Sequence, residues 1–218
     1  KHIDYCTRDI LVPFLNSKNY RIYSALSSYR HEDYSEGYEK GVRRHKDRVC
    51  KLVEKYTPVD IDCLIQVCLE SNQTFDKEER KLGSGLEYVF EALQSQQQLY
   101  LYLVDAYMRA DTPYRINAEQ ILDRLFELMS ATEVKKFITK YKYGQQNVWL
   151  WYFYALIPEQ QLSAEWATDL LNYLEEPDVG LEKSPYRKLD LLRKYERIEP
   201  KIICKALRIV SNHYEESP

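Results

Sequence analysis

The stretch Asn147–Leu156, NVWLWYFYAL, carries five aromatic rings in six consecutive positions: Trp149, Trp151, Tyr152, Phe153 and Tyr154, with Leu150 among them. Taken alone it fits a membrane segment, a buried strand, a base-stacking platform or a core helix. It is bounded by Gly144 and Pro158, which leaves it well short of the ~20 apolar residues a helix needs to cross a bilayer. Aromatic residues favour strands, but the segments on both sides have helical periodicity, and a lone strand would find no sheet to pair with. Base stacking would need exposed rings in a basic setting, and the surrounding region is acidic: 117–180 holds five Lys/Arg against ten Asp/Glu. A helix that is apolar nearly all round is buried on most sides. The stretch therefore reads as an inner helix between neighbours at 132–142 and 164–175, with Trp166 close by.

Outward from this point the chain reads as helix almost throughout. Tyr34, Tyr38, Val42, His45, Val49, Leu52, Val53 and Tyr56 recur at steps of three and four and predict one amphipathic helix. Thr57-Pro58 restarts the chain, Thr as N-cap and Pro at the first helical position. Gly83 and Gly85 predict a break, followed by a capping box of Ser84 and Glu87. From Leu86 a single long helix is expected through Gln97, Tyr100 and Tyr107 to about Ala110. Beyond it, Asn117, Thr132 and Ser163 are read as N-caps, and Ser184-Pro185 and Glu199-Pro200 as helix starts.

Two of these helices resemble each other. NAEQILDRLFELM (117–129) and SAEWATDLLNYLE (163–175) share Ala, Glu, Asp, Leu and Leu at an offset of 46 residues, and a second helix is expected after each. The offset lies within the ~40–47 residues of HEAT and armadillo units. Residues 115–215 thus resemble a degenerate HEAT-type array. That resemblance is one of shape, and it implies no functional residue. The fold expected is all-α: antiparallel helix pairs stacked as an α-solenoid-like (HEAT-type) array of about 9–11 helices. The chain divides in character into an N-terminal helical part with basic helices, 1–82, and a repeat-like part, 83–218. A start at Lys1 within an amphipathic pattern and an end at YEESP suggest one domain taken from a longer protein.

Composition narrows the function. Only 6 Gly and 8 Pro among 218 residues disfavour an all-β fold. A net charge of −3 provides no electrostatic case for a general nucleic-acid binder. The five cysteines (Cys6, Cys50, Cys63, Cys68, Cys204) lack metal-ligand spacing and read as reduced thiols, which points to the cytoplasm. No apolar run of spanning length argues for a membrane.

Catalytic patterns are missing as well. There is no phosphate-binding glycine loop after a strand, no H-E-x-x-H and no G-x-S-x-G, and the four histidines are scattered. His45, on an apolar stripe, reads as a hydrogen-bonded core or boundary histidine. No cofactor, metal or catalytic residue is predicted. What remains is a surface: the basic run Arg43, Arg44, Lys46 and Arg48, and tyrosines outside the apolar stripes, Tyr102, Tyr114, Tyr143 and Tyr186, from a total of 20. Exposed Tyr and Arg are favoured at binding hot spots. The expectation is a non-catalytic helical scaffold or sensor module that binds a protein within a larger protein. The alternative is nucleic-acid binding through 18–56, where ten Lys/Arg face six Asp/Glu. An enzyme with an unfamiliar all-α site is the third reading.

Overall fold

The computed structural model describes residues 17–27, 37–74, 82–110, 116–140, 146–175 and 185–215. Among the described residues there are eleven α-helices, one 3₁₀ turn and no strand. The chain forms two compact units, Lys1–Asn117 and Ala118–Pro218.

The first unit contains α1 (Lys18–Leu26), α2 (Tyr38–Val53), α3 (Pro58–Thr74), α4 (Gly83–Leu93) and α5 (Gln97–Ala110). Helix α1 packs on α2, α3 and α4, while α2 packs on α4 and α3 on α5. The compositional change at residues 82/83 falls inside this unit, since α4 lies against both α1 and α2. Helix α2 buries Gly41, His45, Val49 and Val53, a stripe at steps of four. Tyr38, expected on that stripe, is 76% exposed. The helix begins only at Tyr38, after Gly37 at φ 107°, and burial starts one turn later at Gly41. That φ is open to glycine and costly for other residues.

The long helix expected through 86–110 is two helices. Backbone bonds from Gln94 N–H to Glu91 O (3.3 Å) and from Gln96 N–H to Leu93 O (2.9 Å) turn the chain before α5 starts. In one straight helix, Phe90 and Tyr107 would lie about 25 Å apart along the axis. Here their rings meet edge to face at 5.6 Å, and Phe90 also meets Tyr100 at 6.1 Å. Residues 95–98, SQQQ, carry no apolar group to hold a continuous stripe, so the aromatic packing gained by folding back prevails.

Nor do the glycines act as a break. Gly83 and Gly85 lie within the first turn of α4, Leu82 precedes it without a side-chain cap bond, and Ser84 lies inside the helix instead of capping it. Gly85 is buried against α1, where an added Cβ would come within 2.2 Å of Leu26 O. Glycine here permits close approach of two backbones.

The second unit contains α6 (Ala118–Leu128), α7 (Ala131–Thr139), α8 (Gln146–Leu156), the 3₁₀ turn Glu159–Gln161, α9 (Ala164–Glu175), α10 (Pro185–Tyr195) and α11 (Lys201–Glu215). The aromatic stretch is α8. Trp149, Trp151, Phe153 and Tyr154 are all buried, as its all-round apolar character demands. Phe153 packs against Phe126 of α6 at 5.6 Å and Trp166 of α9 at 5.4 Å, and Tyr154 against Tyr173 at 5.2 Å. The end of α8 is closed by α10: Lys194 Nζ donates to Ala155 O (2.5 Å) and Ile157 O (2.7 Å), and Tyr195 Oη to Tyr154 O (2.7 Å). A cation there satisfies C-terminal carbonyls that have no helical partner.

In this unit one expected cap holds and another is shifted. Ser163 accepts from Trp166 N–H at 3.3 Å, as expected. Thr132 is not the cap of α7; Ser130 and Glu133 form a reciprocal capping box two residues earlier, because the N3 Glu can satisfy the cap's own N–H. The two similar segments are α6 and α9. Each opens a run of three helices where a pair was expected. Helix α6 packs on α7 and α8, α9 packs on α11, α10 on α11, and α8 on α10.

Candidate functional site

The basic run on α2 is divided by its own helix. Arg48 turns towards α1, where its guanidinium donates to Ala25 O (3.4 Å) and Ser27 O (3.3 Å). Beside it His45 Nε2 lies 3.0 Å from Leu26 O. A carbonyl only accepts, so the imidazole carries its proton on Nε2. Together the two side chains satisfy the unpaired carbonyls at the end of α1. Lys46 pairs with Glu91 of α4 at 2.5 Å, and the bond to that carboxylate raises the Lys46 pKa. Arg43 is exposed and Arg44 half-buried. Lys46 and Arg48 thus serve different neighbours, α4 and α1, as ~100° per residue requires.

Of the predicted tyrosines, Tyr102 is half-buried on α5, and its hydroxyl donates to Asp62 Oδ2 at 2.8 Å. That bond raises the Tyr102 pKa. Tyr114 and Tyr143 lie outside the described residues, as does the side chain of Tyr186, whose backbone is in α10.

Tyr102 also marks a feature that the sequence reading missed. A groove of about 620 Å³ opens between the N-terminal turn of α3 and the turn that joins α4 to α5. Tyr56 and Pro58 form one wall; Gln96 to Leu99 and Tyr102 form the other. No lining residue is charged. Two ion pairs link residues of α1, α3 and α5: Lys18 with Asp60 (2.6 Å) and Arg109 with Asp62 (3.8 Å). Asp60 also accepts from Thr57 N–H (2.7 Å) and Thr57 Oγ1 (2.5 Å) at the start of α3. Hydrogen bonds from Lys18 and Thr57 hold its carboxyl down at about 2. The Tyr56 ring faces the groove while its hydroxyl is buried without a hydrogen-bond partner, and burial pushes its pKa upward. The signal in the sequence was the run of glutamines that interrupts an apolar stripe. The groove itself needs Tyr56 and Gln97, forty-one positions apart, to be neighbours.

In the second unit Lys135, Asp169, Tyr154 and Trp166 form a tight cluster. Lys135 pairs with Asp169, and its ammonium lies 5.8 Å from the Tyr154 ring centre and 5.7 Å from that of Trp166. Tyr154 Oη donates to the same carboxylate at 2.8 Å. Burial and Asp169 push the phenol pKa well above its ordinary value, so it stays protonated and donates. The arrangement ties α7, α8 and α9 together. Its two charges are paired with each other.

Among the described residues no group of three or more His, Cys, Asp or Glu is placed to hold a metal ion, and no helix is long and apolar enough to cross a membrane. Cys50, Cys63, Cys68 and Cys204 form no disulfide; burial raises the Cys68 thiol to about 12, which leaves it inert at neutral pH. No protein-family model, no curated protein and no solved structure matches this chain.

Proposed function

We propose that this chain is a non-catalytic helical scaffold that binds a protein partner, and that the groove between α3 and α5 is where the partner sits. The observation that carries the reading is the lining of that groove. Two phenol rings, a proline, a leucine and three glutamines form an open, uncharged concavity. Such a surface supplies contact area and adaptable hydrogen bonds, but no acid, base or nucleophile for chemistry.

The frame we propose for it is repeat-like, of HEAT or armadillo type. In the first unit α1 packs on α3, α2 on α4 and α3 on α5; in the second α6 packs on α8, α8 on α10 and α9 on α11. Contact with the helix two places along is how stacked helical units bury a shared core. The nucleic-acid alternative has less support, since Lys46 and Arg48 spend their charge on Glu91 and on the carbonyls of α1.

A photo-crosslinking residue at Gln97, compared with one at exposed Asp190 of α10, tests the proposal in cells. A discrete protein adduct is expected from position 97 only, lost when Leu99→Asp is added. Indistinguishable adducts from the two positions would overturn it.

A further inference from the structure

We infer that α10 and α11 form a surface that docks on the anionic face of a lipid bilayer. This surface belongs to the second unit and is independent of the groove.

Charge is unevenly spread within that unit. Residues 117–180 hold five Lys/Arg against ten Asp/Glu, whereas 185–208 hold eight against three. The basic run covers α10, the turn after it and the first half of α11, and the two helices pack on each other. Lys46, Lys135 and Lys194 are held by internal acceptors. By contrast, the side chains of Lys188, Arg193, Arg197, Lys201 and Arg208 make no hydrogen bond or ion pair among the described residues. Their charge is left for an anion outside the chain.

The same hairpin exposes aliphatic surface. Among the described residues only four large apolar side chains are exposed, and two belong to α11: Ile203 at 53% and Leu207 at 65%. They stand about one turn apart. At ~100° per residue, Ile203, Leu207, Cys204, Arg208 and Lys201 follow one another around the half of the helix opposite buried Ile202. One edge of this exposed face is aliphatic and the other is cationic. Such a face suits the bilayer interface, where aliphatic groups enter the acyl boundary and Lys and Arg reach the headgroups.

Other anions fit less well. Nucleic acid would meet the cations but give Ile203 and Leu207 no apolar contact along its phosphates. A folded acidic partner would have to set fixed carboxylates opposite cations spread over two helices and a turn. Lipid headgroups move laterally and need no such register. Nor do the described residues of the hairpin expose any tyrosine or tryptophan, the side chains favoured at protein hot spots. With no helix among the described residues long and apolar enough to cross a membrane, the contact is peripheral. It needs both the cations and the aliphatic pair, because one weak anchor alone binds only marginally.

The test is flotation of the full chain with vesicles of phosphatidylcholine alone, or with about 30% phosphatidylserine added. Binding is expected to the anionic vesicles only, and should fall sharply between about 0.1 and 0.5 M salt. Lys201→Glu combined with Arg208→Glu should weaken it at least about tenfold, and Leu207→Ser about fivefold. Arg43→Glu with Lys51→Glu, exposed on α2, makes the same change in net charge and should bind as the parent does. Leu207→Trp keeps an apolar side chain. It should bind at least as well as the parent and be quenched by brominated acyl chains, which a purely electrostatic contact would not produce. Equal binding to both vesicles, binding to neither, or an equal loss from the α2 variant would overturn the inference. Capture of polyglutamate or duplex DNA without vesicle binding would do the same, and would make an acidic macromolecule the partner instead.

Discussion

His45 Nε2 donates to the carbonyl oxygen of Leu26 at 3.0 Å, and both groups are buried. This bond joins α2 to the end of α1 across nineteen residues. With Arg48 on Ala25 and Ser27, it closes a helix terminus from the side. Replacing His45 with Leu would leave the Leu26 carbonyl without its donor, at a cost of about 1–3 kcal/mol. His45→Gln keeps an N–H of similar reach and should lose less. Urea unfolding of the two variants checks the order; equal stability would mean that the bond carries no net weight.

Gly85 meets the same terminus from α4. An added Cβ would lie 2.2 Å from Leu26 O and 2.6 Å from its Cα, both backbone atoms that cannot rotate away. Gly85→Ala should therefore destabilise by about 1–3 kcal/mol, against a helix-propensity gain of at most about 1 kcal/mol. Gly83→Ala is the internal control, with nothing within 4 Å. It should be neutral or slightly stabilising by thermal melting.

Tyr56→Phe removes a buried hydroxyl that has no partner. The expected result is unchanged stability or a gain of about 1 kcal/mol, since the desolvation cost of that group disappears. A marked loss in chemical denaturation would show that the hydroxyl is bonded in solution.

Trp149→Ala and Phe153→Ala should each cost about 3–5 kcal/mol, because both side chains are fully enclosed between helices. Near-neutral stability combined with loss of partner binding would return the aromatic stretch to the role of a binding platform.

The acid limb of stability should depend on Asp60. Its folded pKa of about 2 lies below the ordinary 3.8. The charged form is thus favoured by folding, and its contribution is present above the ordinary value. It is lost as pH falls through the folded one. The stability difference between the parent and Asp60→Asn should shrink over that window when followed by equilibrium unfolding. A difference that stays constant with pH would exclude the Lys18 and Thr57 bonds as its source.

Several features were legible along the chain because they depend on neighbours within a turn or two. The period of the apolar residues makes α2, α6 and α9 helices. Thr57-Pro58 and Ser163 start helices where short-range capping chemistry says they should. The aromatic stretch is core because no orientation of so apolar a helix leaves it a wet face. The rest was decided by contacts between distant segments. A helix running through Gln94–Gln97 is locally as acceptable as a turn; the edge-to-face contact of Phe90 with Tyr107 selects the turn. Gly85 looks like punctuation until Leu26 is seen against it. Arg48 looks like surface charge until the carbonyls of α1 claim it. The groove exists only because α3 lies on α5, which places Tyr56 and Pro58 opposite the glutamines. Local periodicity sets which residues become helix and which face is apolar, whereas pairing free energies between remote helices set where a helix ends and what its polar groups serve.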